Sequence, residues 1–412
     1  ITSQEWLNYE KLASIRNELL LKGSVKNIIF DSKYSLFVDF DEKSIGTNSS
    51  IIIYEKGIFE KNISINIPFN EENKFIDSKT CSSKYYEIKK NDKWNKYGFD
   101  NEKEDILFKI NNYTSISLND NNYFDVFGGF QPPKDKIDLF TLNHEEYLLV
   151  PEKEKRLIYK VIINASSIDK YVINDENKYW IIANEVIDEK ILKSEYPFIY
   201  DLLCKRIKIK EKAWYKFPNI RNWNKFKEAK NKILVPRTKD YNAFALDQDK
   251  YLFKGTNTAI YIKKGFDVKY VLGYLNSSLL TFWYKFNGDS YHGSNRKYEP
   301  HSVKKIRIPI VDNNIENNIS NKVNIIQNSF KDLNNLSYEF SNWINTNFDI
   351  KIKDEFYELD KDKFIKKYFK NISPKKLNLI NKYFDEYKIR FLNLKEKISL
   401  YLKDIDEIFY SI

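Results

Sequence analysis

VKYVLGYLNSSLLTFWYKFNG, residues 268–288, is an apolar and aromatic stretch interrupted once, by Asn276-Ser277-Ser278. Its density predicts a buried helix, with Val271, Leu275, Leu279, Phe282 and Phe286 along the core-facing side. It leads directly into DSYHGSNRKY, residues 289–298, a loop of short polar and basic side chains. A loop that makes directional contacts needs such a strut beneath it, because a bidentate hydrogen bond tolerates little displacement.

Working outward, KILVPR from Lys232, FALD from Phe244 and TAIYIKK from Thr258 have the length and composition of strands. Leu148 to Asn184 alternates runs such as LIYKVII and YWIIA with polar breaks, which predicts mixed α/β structure. Ile191 to Lys230 is helical in composition, interrupted at Pro197 and Pro218. Gly128-Gly129 and Pro132-Pro133 mark turns. The first 56 residues read as the end of an α/β unit. Thr2 or Ser3 would cap a helix striped by Leu12, Ile15, Leu19 and Leu20 and closed at Lys22-Gly23, with buried-type strands at 25–30 and 51–54. From about Gly57 to Asp120 the pattern predicts irregular strands and loops. After Asp312, Asn-rich turns give way to helices. In the last of these, Phe384, Tyr387, Phe391, Leu394, Ile398, Tyr401, Ile405, Ile408 and Ile412 step by three and four. That stripe predicts an antiparallel helical hairpin or coiled coil, a scaffold rather than a site of chemistry. The fold class is therefore α/β, in a mixed α+β arrangement, with a helical tail.

A chain of 412 residues suggests two or three domains. No run approaches the roughly 18 apolar residues of a membrane span, and no signal peptide is legible at Ile1. Cys81 and Cys204 cannot build a disulfide framework, and three His supply a zinc site poorly. These features point to a soluble, reduced, cytoplasmic protein. The lack of any Met suggests a fragment, or a chain from which modified Met residues and disordered stretches are missing, so helical spacings can slip by one. Abundant Asn, Lys, Ile and Tyr match an AT-rich genome, which inflates the lysine count. The distribution of charge is more telling. Residues 201–310 hold 24 Lys and Arg against 9 Asp and Glu, a local +15 in a chain of +10. Regional positive charge suits a polyanion-binding surface; a merely solvated surface would spread it evenly.

The order of these segments resembles the C-terminal part of adenine-specific DNA methyltransferases of restriction-modification systems, especially the single-chain type IIG kind with a TaqI-like target-recognition domain. ITSQEW, GSVKNIIF and TNSSIIIYEKG look like the last strands of the family's Rossmann-like methylase domain. KNKILVPRTKDYNAFALDQDKYLFKGTNTAIYI, running into KYVLGYLNSSLLTFWYKFNG and VKKIRIPIV, looks like the recognition core. FYELDKDKFIKKY and the helix ending in DEIFYSI resemble the helical tail. The resemblance implies three parts: 1–115, the end of the methylase domain with a connector; 116–312, the target-recognition domain; and 313–412, the tail. The family's catalytic motif, Asn or Asp, Pro-Pro, then Tyr or Phe, is not matched. The one Pro-Pro stands in Gln131-Pro132-Pro133-Lys134, without an aromatic, and reads as a loop turn. Gly128-Gly129 lacks the spacing of an S-adenosylmethionine turn. The resemblance thus implies no catalytic residue and no cofactor in this chain. S-adenosylmethionine and the methyl transfer belong to an upstream methylase part, which, with any nuclease domain, would be the chain's own partner besides double-stranded DNA. The setting would be the nucleoid of a bacterial or archaeal cell.

Under that resemblance His292, Ser294, Asn295, Arg296 and Lys297 face base edges, since Arg pairs with guanine and Asn with adenine. Lys304, Lys305 and Arg307 would take phosphates. Trp214, Arg221, Trp223 and Lys225, with Tyr215, would line a nucleic-acid cleft, or equally form a small core with Arg221 on its rim. Arg237, Lys239 and Lys254 flank short strands and would add contacts. Asp247/Asp249 and Asp404/Asp406 read as solvated pairs rather than metal or acid–base sites. Two other functions stay open: a protein that binds RNA or single strands through the Trp–Lys cluster, and a helical protein-interaction subunit.

Overall fold

Four strands carry the architecture: β1 (Phe124–Gly128), β2 (Lys232–Pro236), β3 (Ala245–Asp247) and β4 (Asn257–Ile262). They form an antiparallel sheet in the order β3-β2-β4-β1. Alternate residues face opposite sides. Val126, Ile233, Val235, Leu246 and Ile260 belong to one core, and Phe127, Leu234, Ala245 and Ala259 to another. Burial on both faces is why these strands read as unbroken apolar runs. The computed structural model describes residues 2–3, 12–30, 49–57, 64–67, 79–82, 101–208, 212–229, 231–255, 257–291, 295–352, 356–369 and 372–412.

The stretch 268–288 forms two helices where one was expected: α1 (Val268–Asn276) and α2 (Ser278–Asn287). Ser277 is extended, at φ −64° and ψ 154°, and its Oγ accepts the Leu280 N–H at 3.1 Å, capping α2. Local bonding of a Ser side chain to backbone competes with helix continuation, and here it prevails. Asn276 binds the sheet: Nδ2 donates to the Phe244 carbonyl at 2.8 Å and Oδ1 accepts the Phe244 N–H at 2.9 Å. Asn242 Nδ2 in turn donates to the Leu275 carbonyl at 2.8 Å, so the end of α1 is satisfied by side chains. Val271, Leu275, Leu279 and Phe286 are buried as the stripe predicts, and Phe282 is half-buried.

The other face of the sheet packs on a smaller sheet, Thr141–Leu142, Ile158–Ile162, Tyr179–Ile181 and Leu252–Phe253, and on the helices Glu189–Glu195 and Pro197–Arg206. Pro197 takes the first helical position, where its missing N–H costs nothing. Downstream, α3 (Asn313–Phe348) and α4 (Pro374–Ser411) pair antiparallel, with Lys322 on Asp404 at 2.6 Å and Glu339 near Arg390 at 3.9 Å. Ile319, Val323 and Ile326 of α3 and Ile398, Ile405 and Phe409 of α4 join the core under α1. Phe340 and Phe384 form a separate cluster with Phe356 and Phe364.

Three local expectations are corrected. The Asn-rich segment after Asp312 opens α3, capped by Asp312, because burial of its apolar face outweighs modest Asn propensity. A helix, Asn101–Asn112, stands where irregular strands and loops were expected. Thr2–Ser3 pair with Ser49–Ser50 as a strand rather than capping a helix, and residues 4–11 lie outside the described ones. The helix Ala13–Lys22 buries Arg16 and leaves Ile15 52% exposed, while Leu12, Leu19 and Leu20 are half-buried, so the expected stripe is only partly covered. The strands Gly23–Phe30 and Ser49–Lys56 form as expected, antiparallel.

Asn276→Ala should lower stability by about 2–5 kcal/mol, since it strands both backbone groups of buried Phe244. Urea denaturation measures this; a loss below about 1 kcal/mol would show that the reciprocal bonds do not hold α1 to the sheet.

Candidate nucleic-acid interface

Because β4 runs antiparallel to β1 and β2, Gly128, Pro236 and Asn257 meet at one end of the sheet: Pro236 lies opposite Asn257, and Gly128 opposite Thr258. A three-stranded ribbon rises from this end. Thr238–Lys239 pair with Arg296–Lys297, which pair with Asp289–Ser290. The segment after α2 therefore supplies one outer strand and the central strand of the ribbon, both in fixed register. The Tyr298 N–H donates to the Arg237 carbonyl, and Thr258 Oγ1 to the Tyr298 carbonyl, each at 2.7 Å. Beneath it the rings of Tyr284 and Tyr298 stack 4.5 Å apart. The Tyr284 hydroxyl donates to the Lys297 carbonyl at 2.7 Å and the Tyr298 hydroxyl to Asn242 Oδ1 at 2.9 Å. Burial drives both phenols upward in pKa, so both stay donors throughout the physiological range.

The ribbon's charges are networked. Glu299 accepts from Arg237 Nε at 2.7 Å and faces its Nη2 at 2.6 Å. Asp289, buried, accepts from the Ser302 hydroxyl, faces His301 Nε2 at 2.9 Å and lies 3.6 Å from Lys305 Nζ. Arg296 donates from Nε to the Lys285 carbonyl and from Nη1 to the Asn295 carbonyl, each at 3.0 Å, and burial lowers its pKa. Lys297 Nζ lies over the Tyr291 ring, and Lys239 Nζ donates to the Tyr241 hydroxyl. Arg307 binds Ser115 through Nε and Nη2. Lys304 and Lys254 are half-exposed and form no ion pair among the described residues. Asn295 is half-buried, and His292 and Ser294 lie outside the described residues.

The Trp cluster reaches the same end of the sheet by another route. Trp223 packs edge-on to Tyr159 at 5.4 Å, and its Nε1 donates to Glu185 at 2.8 Å. Hydrogen bonds from Lys227 and Trp223 hold the Glu185 carboxyl below its ordinary range. Trp214 sits edge-on to Tyr200, Tyr215 is buried, and Lys225 donates to Asp125 at 2.6 Å. Of the two readings left open by the sequence, the geometry is that of a packed core edge with exposed Arg221 on its rim. Asn219 and Asn222 adopt left-handed backbone, at φ 52° and 57°. Asn is among the residues best suited to that region. Their amides donate to the carbonyls of Gln131 and Gly128 at 3.3 and 3.0 Å. The loop carrying Arg221 is thereby tied to the ribbon's end of the sheet.

Sequence reading missed Asp289, Glu299 and His301. Arg237 and Glu299 are 62 residues apart, and no spacing rule links such positions. Asp247 is also not solvated: it pairs with Lys232, both fully buried, and burial pushes its carboxyl upward against the pull of Lys232. Asp404 meets Lys322, and Asp406 accepts the Ser278 N–H at 2.7 Å. Among the described residues no group of three or more His, Cys, Asp and Glu is placed to hold a metal ion. No described helix is long and apolar enough to cross a membrane. Nor do the described residues fit S-adenosylmethionine at Gly128-Gly129. A Cβ on Gly129 would come 2.2 Å from the Phe253 carbonyl oxygen, so that glycine serves packing and leaves no cradle.

Tyr284→Phe should speed hydrogen exchange across the ribbon strand Arg296–Lys297 while costing only about 1 kcal/mol of global stability. Unchanged exchange there would mean that the Lys297 carbonyl bond does not hold the ribbon.

A family model described as the TaqI-like C-terminal specificity domain matches residues 160–310. The chain is 32% identical over 213 residues to the type II methyltransferase M.MjaIV of Methanocaldococcus jannaschii, covering 48% of this chain and 71% of that protein. It is 25% identical over 305 residues to the type II methyltransferase M.HindII of Haemophilus influenzae, covering 65% of this chain and 57% of that one. The fold is similar to that of the type IIL restriction-modification enzyme MmeI, solved in complex with DNA, at a TM-score of 0.50 and 12% identity over 99% of this chain and 49% of that one. The chain thus spans about half to two thirds of the last two proteins and rather more of the first. With M.MjaIV covered to 71% of its length and the specificity-domain match lying over the ribbon and β2 to β4, this chain belongs to the type II methyltransferases of restriction-modification systems.

Proposed function

We propose that this chain is the specificity portion of an adenine-specific DNA methyltransferase and reads a short duplex sequence at the open end of the β1–β4 sheet. The observation that carries the reading is the convergence there of the ribbon, the Arg237–Lys239 segment, Lys254 and the Arg221 loop, within the span matched by the specificity-domain model. The parent reaction is methyl transfer from S-adenosylmethionine to the adenine amino group, with donor and catalytic groups supplied outside the residues described. The division into 1–115, 116–312 and 313–412 belongs to the same proposal, the tail acting as a scaffold for α1 and α2.

Within that reading the named residues separate by what they are free to do. Lys254, Lys304 and Arg221, exposed or half-exposed, neutralise phosphates. Asn295, half-buried beside the ribbon's central strand, and Lys297 within that strand are the described members of the set proposed to meet bases; His292 and Ser294 stay in that set as sequence expectations and lie outside the described residues. Arg237, Lys239, Arg296, Lys305 and Arg307 already hold protein partners and set the ribbon's shape, contributing field rather than direct contacts. Trp214, Trp223 and Lys225 brace the Arg221 loop. Single-strand binding through the Trp cluster is disfavoured because its rings pack against protein.

Fluorescence anisotropy against a mixed-sequence duplex and its single strand, over a salt series, tests the proposal. Duplex should bind more tightly, with affinity falling log-linearly in salt. Lys304→Ala should weaken all duplexes alike and reduce the salt slope by about 1. Preference for the single strand would overturn the reading.

A further inference from the structure

The Gln131-Pro132-Pro133 turn has no part in the function proposed above, yet it stands at the same sheet end and is held more firmly than a surface turn needs. The Phe130 N–H donates to the Phe253 carbonyl at 2.9 Å, the Gly255 N–H donates to the Phe130 carbonyl at 2.5 Å, and Asn219 Nδ2 reaches the Gln131 carbonyl at 3.3 Å. Pro132 is buried, and Pro133 precedes the short helix Lys134–Ile137. Backbone of the 253–255 segment and the Asn219 side chain thus hold the root of one side chain, that of Gln131, which is itself exposed.

The first half of that side chain is fixed as well. It lies across Gly255, where a Cβ would come 2.6 Å from Gln131 Cγ and 3.1 Å from Nε2. Only a residue without a Cβ lets the chain lie there. The amide head makes no hydrogen bond to a described residue, and the residue is exposed, so both its donor and its acceptor are available to a ligand.

We infer that Gln131 is a base-reading residue, its amide pairing with the major-groove edge of a purine, adenine by preference. This rests on the DNA-recognition reading and adds to it a contact outside the ribbon, at the turn held by the 253–255 segment and Asn219. An amide offers a donor and an acceptor together, as the adenine N7 and amino group require; a phosphate would be better met by a cation. Preorganisation is what makes such a contact selective, since a freely rotating glutamine would satisfy any base.

The test is enrichment of a randomised duplex library by the intact protein, with wild type, Gln131→Ala and Gly255→Ala run side by side and thermal melting as the check on folding. Gln131→Ala should lower discrimination at one base pair of the wild-type consensus by about tenfold or more. Gly255→Ala leaves the amide in place chemically but pushes it aside, and should blunt the same base pair. The salt slope distinguishes this role from a phosphate contact, which would lower it. A consensus that both folded variants reproduce with undiminished discrimination overturns the inference and leaves the recognition reading standing. A wild-type protein that enriches no sequence overturns both.

Discussion

A sheet buried on both faces can meet a ligand only at its ends or edges. Residues of β1 to β4 are committed alternately to two cores, so no face remains for polar chemistry. At one end, where β2 begins and β3 finishes, Lys232 and Asp247 are paired and fully buried. Such a pair is no strong source of stability, because desolvating both charges offsets their attraction. Losing one partner would be costly, because it would leave the other charge buried and unpaired. The opposite end, at Gly128, Pro236 and Asn257, is where the polar segments leave the sheet. The placement of the candidate interface follows from the packing of the strands before any basic residue is considered.

How much of this was legible depends on the range over which each feature is determined. The strands of the central sheet were readable because double burial leaves an unbroken apolar run, a local signal. The α4 stripe was readable because its period is local as well. The break at Ser277 was not. Asn-Ser-Ser within an apolar stretch is compatible with a helix, and the local Ser277 cap prevails here in company with the reciprocal bonding of Asn276 to Phe244, 32 residues away. The Asn-rich start of α3 failed in the other direction: local propensity favours turns, and packing of Ile319 and Val323 beneath α1 overrides it.

The site was legible as composition and not as geometry. Counting cations pointed to a region in which Arg221, Arg237, Lys254 and Arg296–Lys297 gather at one sheet end. It could not tell which of them are free. Lys225 meets Asp125 across 100 residues, and Arg237 meets Glu299 across 62. A carboxylate that distant in sequence decides whether a cation faces a phosphate or stiffens a ribbon. Trp223 illustrates the same limit: an aromatic beside lysines looks like a stacking platform until Glu185 and Tyr159 are found against it.

The regional charge and the paired charges are not in conflict once their ranges are compared. Ion pairs at the ribbon remove individual cations from direct contact, but +15 over residues 201–310 still sets a positive field that acts over about a Debye length. That field draws a polyanion without selecting among sequences. Selection requires groups held in fixed positions, and the same carboxylates that neutralise Arg237 and Lys305 supply the fixing. Asn219 and Asn222 extend this to the Arg221 loop, which they clamp to Gly128 and Gln131. Two segments some seventy positions apart in the chain are thereby anchored at the same end of the sheet. Under the proposed reading, anchoring at a common sheet end is the condition for reading length and register rather than charge alone.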